Sequence, residues 1–332
     1  MHYRKIGKYG LKISEISIGS WLTYGESTEK NLAFDCLDTA IEKGINFIDS
    51  AEGYANGGAE SLIGDYLSQE TISRDDLVIS SKTFWPMGEN INRWGLSRKN
   101  IITAVKGTLK RLKTEYLDLY FMHRFDHTTP LKETILAIDE LIKAGKIRYW
   151  GTSCWSAAQI ERVNAIAKEL NANPPIVEQP LYNMFRRHIE LEIMDVAKRH
   201  GMGFTVFSPL AQGILTGKYN NGIPKDSRAT HEDTLKADLI EENLEKVRKL
   251  AKVAERLEIS VGNLALAWIL RKPEISCAII GASKPHHIIE NVKASNIKLS
   301  NEVFTEINNI LDNEPSWPPT YEPLIFYEDK MH

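Results

Sequence analysis

Short apolar runs rich in β-branched and aromatic residues alternate along the chain with longer stretches whose apolar positions recur every three or four residues. The runs are Glu15–Ser20, Asn46–Ser50, Leu77–Lys82, Leu117–His123, Tyr149–Ser153, Ile176–Pro180, Gly203–Ser208 and Cys277–Gly281. Between them lie amphipathic stretches such as Lys30–Lys43, Arg98–Lys113, Leu131–Ala144 and Ile189–His200. The first pattern predicts strands and the second helices. Eight strand candidates, each followed by a helix candidate, predict an α/β fold of the (β/α)8 TIM-barrel type rather than a doubly wound sheet. Residues 1–332 read as one domain, with no low-complexity tract or linker inside it.

Three segments stand outside the repeat. Residues 1–14, centred on Gly7-Lys-Tyr-Gly10, read as a β-hairpin capping the first barrel strand. Residues 210–238 form a long connection after the seventh barrel strand, rich in Gly, Asn, Lys and Arg. Connections of that length inside a compact domain are usually functional, and this one leaves the carboxyl end of a strand, where barrel enzymes keep their sites. The tail 313–332, with Pro315, Pro318, Pro319 and Pro323, reads as irregular.

Composition narrows the function class. At 332 residues, 42% hydrophobic and 26% charged, the chain is long and apolar enough for a large core. A formal charge of -3 gives no reason to expect nucleic acid as a partner. The longest stretch free of charge and His, Gly201–Gly217, is shorter than the ~20 apolar residues that span a bilayer, so no membrane insertion is expected. Met1-His-Tyr-Arg-Lys5 lacks the apolar core of a secretory signal. Cys36, Cys154 and Cys277 are few, odd in number and far apart, which argues for a reducing, cytoplasmic compartment and against a structural metal site.

Polar residues terminate several of the strands. Asp49 ends the second barrel run and Tyr54 lies just beyond it; Lys82 ends the third and His123 the fourth. Each alone has an ordinary structural reading, but strand ends of a barrel converge on one mouth. There an acid, a phenol, an amine and an imidazole make a proton-transfer site. A phenol titrates near ~10, and a Lys ammonium beside it is expected to lower that value, with Asp49 holding the ammonium in place. His123 would orient a carbonyl oxygen. Side chains cannot supply a hydride, so carbonyl reduction at such a site needs a nicotinamide cofactor, and no GxGxxG follows a strand.

These residues resemble a known family. Asp49-Ser-Ala-Glu-Gly-Tyr54, Lys82 and His123 are similar to the catalytic tetrad of the aldo-keto reductases. Gly151-Thr-Ser-Cys-Trp-Ser156, Ser208-Pro-Leu-Ala-Gln-Gly213, Thr216-Gly-Lys-Tyr219, Asp226-Ser-Arg228, and Gly281-Ala-Ser283 with Glu290-Asn291 resemble the branch that contains potassium-channel β-subunits and related bacterial aldehyde reductases. The resemblance implies reduction of an aldehyde or ketone, a small-molecule carbonyl substrate, with NADPH rather than NADH and with Tyr54 as general acid. It implies that Ser153, Cys154 and Gln179 face the nicotinamide carboxamide and that Phe207 stacks on the ring. Ser208, Pro209, Leu210 and Gln212 would line the pyrophosphate, clasped by Lys218 and Arg228. Gly281, Ser283, His287, Glu290 and Asn291 would hold the adenosine end, where a helix amino terminus favours a phosphate. Relatives on this branch assemble as tetramers or larger, so a homo-oligomer is implied.

The departures also inform. Channel β-subunits carry Asn at the position of His123 and turn over slowly, so His123 favours a working reductase, as does the lack of a long N-terminal extension. Cys154 stands where the channel subunits have Arg and many other members Asn, which alters one nicotinamide contact. Phe207 replaces the channel subunits' Trp, still an aromatic face. Trp21, Phe84 and Trp85 fall just past the first and third barrel strands and are candidates for an aromatic substrate wall. Two alternatives stand beside the reductase. One is a nicotinamide-binding regulatory β-subunit of a channel or other protein. The other is a lyase using Lys82 as a Schiff base, which Asp49 disfavours by holding the amine charged.

Overall fold

The computed structural model describes residues 1–316 apart from 26, 27, 70, 226, 231–234, 236 and 237, and at Arg228 the backbone alone. The hairpin pairs β1 (Tyr3–Lys5) antiparallel with β2 (Lys12–Ser14), in the register Tyr3↔Ser14 to Lys5↔Lys12. Eight parallel strands then close a barrel: β3 (Ile16–Gly19), β4 (Phe47–Asp49), β5 (Val78–Thr83), β6 (Leu117–Met122), β7 (Ile147–Ser153), β8 (Val177–Gln179), β9 (Gly203–Phe207) and β10 (Ile275–Ile280). They neighbour one another in chain order, and β10 returns to pair with β3. Every run anticipated as a barrel strand is one, trimmed by a residue or more at its ends in most cases.

The helices on the outside are α1 (Lys30–Glu42), α2 (Gly58–Leu67), α3 (Arg98–Leu112), α4 (Leu131–Lys143), α5 (Ala157–Glu169), α6 (Ile193–His200), α7 (Glu241–Arg256), α8 (Val261–Leu270), α9 (Pro285–Asn291) and α10 (Asn301–Leu311). Serines open four of them: Ser97, Ser156, Ser260 and Ser300 each accept a backbone N–H of the first turn, the role for which a short hydroxyl side chain is preferred. Ser156 also exchanges bonds with Gln159 in a capping box. One helix departs from expectation. Ile189–His200 divides into a 3-10 turn at His188–Glu190 and α6, because Tyr182, Arg187 and Arg271 fix Glu190 in place before the helix begins.

The barrel has two ends of opposite character. Ile6 and Ile13 of the hairpin segment close the amino end over a buried apolar cluster of Phe47, Val78, Leu119, Val177 and Cys277, which continues up the barrel to Phe121 and Ile279. The hairpin is seated by Lys8 N–H donating to Gly201 O at 2.9 Å. Gly7 makes the turn with φ +53°, and a Cβ there would stand 2.1 Å from Gly201 O. No side chain fits that approach. At the carboxyl end the inward positions turn polar. The connection after β9 carries a 3-10 segment at Ala211–Thr216 and a second at Arg228–Thr230. Residues 313–316 continue from α10 without regular structure, and 317–332 lie outside the described residues.

Candidate active site

Asp49 and Lys82 lie on neighbouring strands of the closed barrel and meet inside it. Lys82 Nζ is fully buried and donates to Asp49 Oδ2 (2.6 Å), to the Ser50 carbonyl (2.8 Å) and to the Tyr54 hydroxyl (3.2 Å). Three acceptors at those distances satisfy all three ammonium donors, so the lysine has one orientation. Asp49 Oδ1 accepts from Ser80 Oγ at 2.7 Å and Gln179 Nε2 at 3.0 Å. A buried carboxyl group with this many donors is fixed in position.

Tyr54 is brought to the ammonium by a sharp turn. Ala55 and Asn56 adopt φ near +50°, and Gly57, at φ +88°, releases the chain into α2. Left-handed residues in succession are costly, and they persist where surrounding contacts over-determine them. Here Glu52 N–H donates to the Lys82 carbonyl, Glu52 Oε1 accepts from Thr83 Oγ1, and Arg93 lies 3.6 Å from Glu52 Oε2. The His123 ring approaches Tyr54 edge-on at 5.8 Å, and its backbone N–H is held by the Thr83 carbonyl.

The electrostatics correct one expectation. Burial raises the Tyr54 phenol above its ordinary value, and the lowering effect of the Lys82 ammonium does not overcome it, partly because Asp49 opposes it. Burial disfavours the charged Lys82, but Asp49 and Tyr54 outweigh it and the ammonium pKa is raised. His123 is pushed well below the usual imidazole range by burial and by the nearby Lys82 and Arg124 charges. At neutral pH the cluster is thus a protonated phenol, a charged amine paired with a carboxylate, and a neutral imidazole.

The three aromatic candidates gather round this cluster. Trp21 lies 6.5 Å from the Tyr54 ring, Trp85 lies 6.3 Å from His123, and Phe84 packs edge-on against Trp85 at 5.2 Å. Trp21 and Trp85 are more than two-fifths exposed, which leaves them free to cover an incoming molecule.

Around the rest of the mouth stand the cofactor candidates. Ser153, Gln179 and Phe207 end β7, β8 and β9, and Ser153 Oγ donates to the Gln179 carbonyl at 2.9 Å. Cys154 follows with φ +57° and an exposed side chain. Ser208, Ala211 and Gln212 also have positive φ, so the chain from Ser208 through Pro209 and Leu210 to Gly213 is a tight irregular turn. The Gln212 Oε1 atom is buried there without a hydrogen-bond partner. The position a Cβ would take at Gly262 is 3.9 Å from Leu210, Thr216 and Asn291, so this turn and α9 converge on the start of α8. Burial lowers the His287 pKa, and the His286, Lys218 and Lys284 charges lower it further. Glu290 accepts from Asn263 and Lys293 (2.8 and 2.6 Å). Gly281 and Ser283 lie on the loop between β10 and α9. The Arg228 side chain and Asp226 lie outside the described residues.

Ser80, Glu52, Arg93 and Thr205 take part in the site without having been singled out from the sequence. Ser80 was legible in principle, two residues before Lys82 and therefore on the same face. Thr205, 3.4 Å from Gln179 Nε2, shares that parity on β9. Arg93 carries no such signal, because it sits in an irregular loop. Among the described residues no group of three or more His, Cys, Asp or Glu is arranged to hold a metal ion, and no helix is long and apolar enough to cross a membrane.

The chain is similar to known proteins over most of its length. The model of the Aldo/keto reductase family matches residues 15–312. The chain is 40% identical over 328 residues to a protein of Oryza sativa subsp. japonica named probable voltage-gated potassium channel subunit beta, covering 97% of this chain and all of the rice protein. An Arabidopsis thaliana protein of the same name is 41% identical over the same shares. A putative voltage-gated potassium channel subunit beta of Schizosaccharomyces pombe (strain 972 / ATCC 24843) is 42% identical over 94% of each chain.

Proposed function

The chain belongs to the aldo/keto reductase family, and on that premise we propose that it reduces an aldehyde or ketone to the alcohol with NADPH. The observation that carries this reading is the Lys82 ammonium bonded at once to Asp49 and to the hydroxyl of a Tyr54 that stays protonated at neutral pH.

In this reading Tyr54 gives its proton to the carbonyl oxygen as the carbon is reduced. The phenolate left behind is stabilised by Lys82 at hydrogen-bond distance, so the high resting pKa of Tyr54 is offset in the step that ionises it. Asp49 keeps Lys82 charged and aimed. His123, neutral, donates a ring N–H to the same carbonyl oxygen and fixes its approach. Trp21 and Trp85, with Phe84 behind, exclude water from one side.

A bound nicotinamide supplies the hydride that no side chain can. The residues present fit such a group: the left-handed turn from Ser208 and the nearby Lys218 ammonium suit a long polyanionic ligand, and the unpartnered buried Gln212 Oε1 would accept from one of its sugar hydroxyls. Ser153, Cys154 and Gln179 would hold its carboxamide and Phe207 its ring. Ser208, Pro209, Leu210, Gln212, Lys218 and Arg228 would hold its pyrophosphate, and Gly281, Ser283, His287, Glu290 and Asn291 its adenosine end. The family kinship also supports a homo-oligomer in the cytoplasm.

The test is loss of NADPH absorbance with a panel of aldehydes, alongside NADH and Tyr54→Phe. Turnover should fall by about 10²–10⁴-fold in the variant while NADPH affinity is kept. Loss of NADPH binding in Tyr54→Phe would overturn the role. A second reading, a regulatory nicotinamide-binding subunit, is favoured by the names of the rice, Arabidopsis and fission-yeast relatives. Tight NADPH binding with no turnover of any carbonyl would decide for it.

A further inference from the structure

Arg124 follows His123 at the end of β6 and stands at the mouth. Its Nη1 donates to the His123 carbonyl at 2.5 Å, and its guanidinium carbon lies 5.6 Å from the centre of the Trp85 ring. Trp85 itself is 6.3 Å from His123, and His123 is 5.8 Å from Tyr54. The guanidinium thus sits against the aromatic wall, one side chain away from the phenol. Its charge reaches Tyr54, His123 and Cys154, and also the buried Glu178 carboxyl, to which it makes no ion pair.

The setting of this arginine differs from that of its counterparts. Each of the other buried or half-buried arginines whose side chains are described reaches a carboxylate, as Arg93 does with Glu52 and Arg111 with Glu60. Arg124 reaches none among the described residues and spends a single hydrogen bond, on a backbone carbonyl. A guanidinium carries five N–H donors in a planar fork suited to an oxyanion. The other cation of the cluster, Lys82, is already paired with Asp49, so among the described residues Arg124 is the cation of this cluster without a directly bonded carboxylate, and it stands beside an apolar wall.

We propose that Arg124 selects carbonyl substrates that bear an oxyanion, a carboxylate or a phosphate, by pairing with that group while Tyr54 and His123 engage the carbonyl. The inference rests on the reductase reading and names its substrate class. It requires no chemistry beyond that reading. A charged hydrogen-bonded partner at a half-buried site changes affinity by about 10- to 100-fold.

The experiment compares kcat/KM for 4-formylbenzoate with that for its neutral methyl ester, and for glycolaldehyde phosphate with that for glycolaldehyde. Wild type, Arg124→Gln and Arg124→Lys are measured with NADPH. The anion-to-neutral ratio should drop about 10- to 100-fold in Arg124→Gln and recover part of the way in Arg124→Lys, since the charge returns without the fork. Whichever pair responds identifies the oxyanion as carboxylate or phosphate. A general loss of fit at the wall divides out of the ratio. No anion preference in wild type, or an unchanged ratio in Arg124→Gln, overturns the inference. Calorimetric binding of 4-carboxybenzyl alcohol against its methyl ester, with NADP+ present, reads Arg124 without turnover. If no aldehyde is reduced the reductase reading fails by itself. An anion preference in binding that Arg124→Gln abolishes would still support Arg124, and equal binding would overturn it.

Discussion

The two ends of one barrel share strands, register and side-chain direction, yet are built on opposite principles. Along β4 the inward row runs from Phe47 to Asp49, along β5 from Val78 to Lys82, and along β8 from Val177 to Gln179. Two to four residues separate an apolar plug from a charged network. The amino end, closed by Ile6 and Ile13, buries mainly hydrocarbon, and its few buried hydroxyls, such as Ser14 and Ser276, bond to backbone carbonyls. The carboxyl end buries a complete ion pair with nearly every donor and acceptor accounted for. Burial stabilises the first by removing apolar surface from water. In the second it raises the cost of any missing partner, so the network has one arrangement.

The sharpest way to break this comparison is at Lys82. Lys82→Met leaves Asp49 as a buried carboxylate without its counterion. It should cost about 3–5 kcal/mol of stability in urea titration and reduce turnover by about 10²–10⁴-fold. Retention of turnover in a destabilised protein would mean the ion pair is only structural. At the opposite end, Ile13→Ala should cost about 2–5 kcal/mol by the same titration with kcat/KM unaltered. A matching fall in kcat/KM would show the two ends to be coupled.

Glu178 tests the boundary between them. It is fully buried on β8, accepts from Thr152 Oγ1 at 2.5 Å and from Trp155 N–H at 3.2 Å, and burial lifts its pKa to about 7. A carboxyl raised in the folded state binds more protons there than when unfolded. Its contribution is therefore full below the ordinary carboxyl value and is lost as pH rises through about 7. Over that window stability should fall by about 3 kcal/mol in wild type and stay level in Glu178→Gln, by urea unfolding at a series of pH values. A wild-type curve as level as that of the variant would refute the raised value.

The smallest effect concerns pH and rate. With the Tyr54 pKa above its ordinary value and that of His123 well below, neither group changes charge near neutrality. The pH profile of reductive kcat/KM should carry no inflection from either between about pH 7 and 9, and should fall only above ~10 as the phenol loses its proton. An inflection near neutrality that vanishes in His123→Asn would place a titrating imidazole in the site instead.

Local signals made much of this legible. Serines before Arg98, Ala157, Val261 and Asn301 mark helix starts because a hydroxyl cap is a property of a few consecutive residues. The tetrad candidates were visible because each ends an apolar run. The sign of the Tyr54 shift was not. It depends on how completely the phenol is enclosed, and enclosure is a sum over elements distant in sequence. The bond from Gln179 to Asp49 likewise joins residues 130 positions apart, and no spacing rule reaches that far. Arg93 sits in an irregular loop, and nothing in its neighbours announces that it faces Glu52.

The sequence by itself determined the alternation of strand and helix, the closing hairpin, and the polar residues at the strand ends, since all follow from periodicity and short-range chemistry. The strand ends also announced the Asp49–Lys82 pair, but tertiary structure alone decided which charge has no such partner. Lys82 has its carboxylate and Arg124 stands without one among the described residues, although both follow apolar runs at neighbouring strand ends. Closure of the barrel points one into a sealed network and leaves the other against an open aromatic wall. Pairing depends on distance in space, and the chain fixes that only once it has folded.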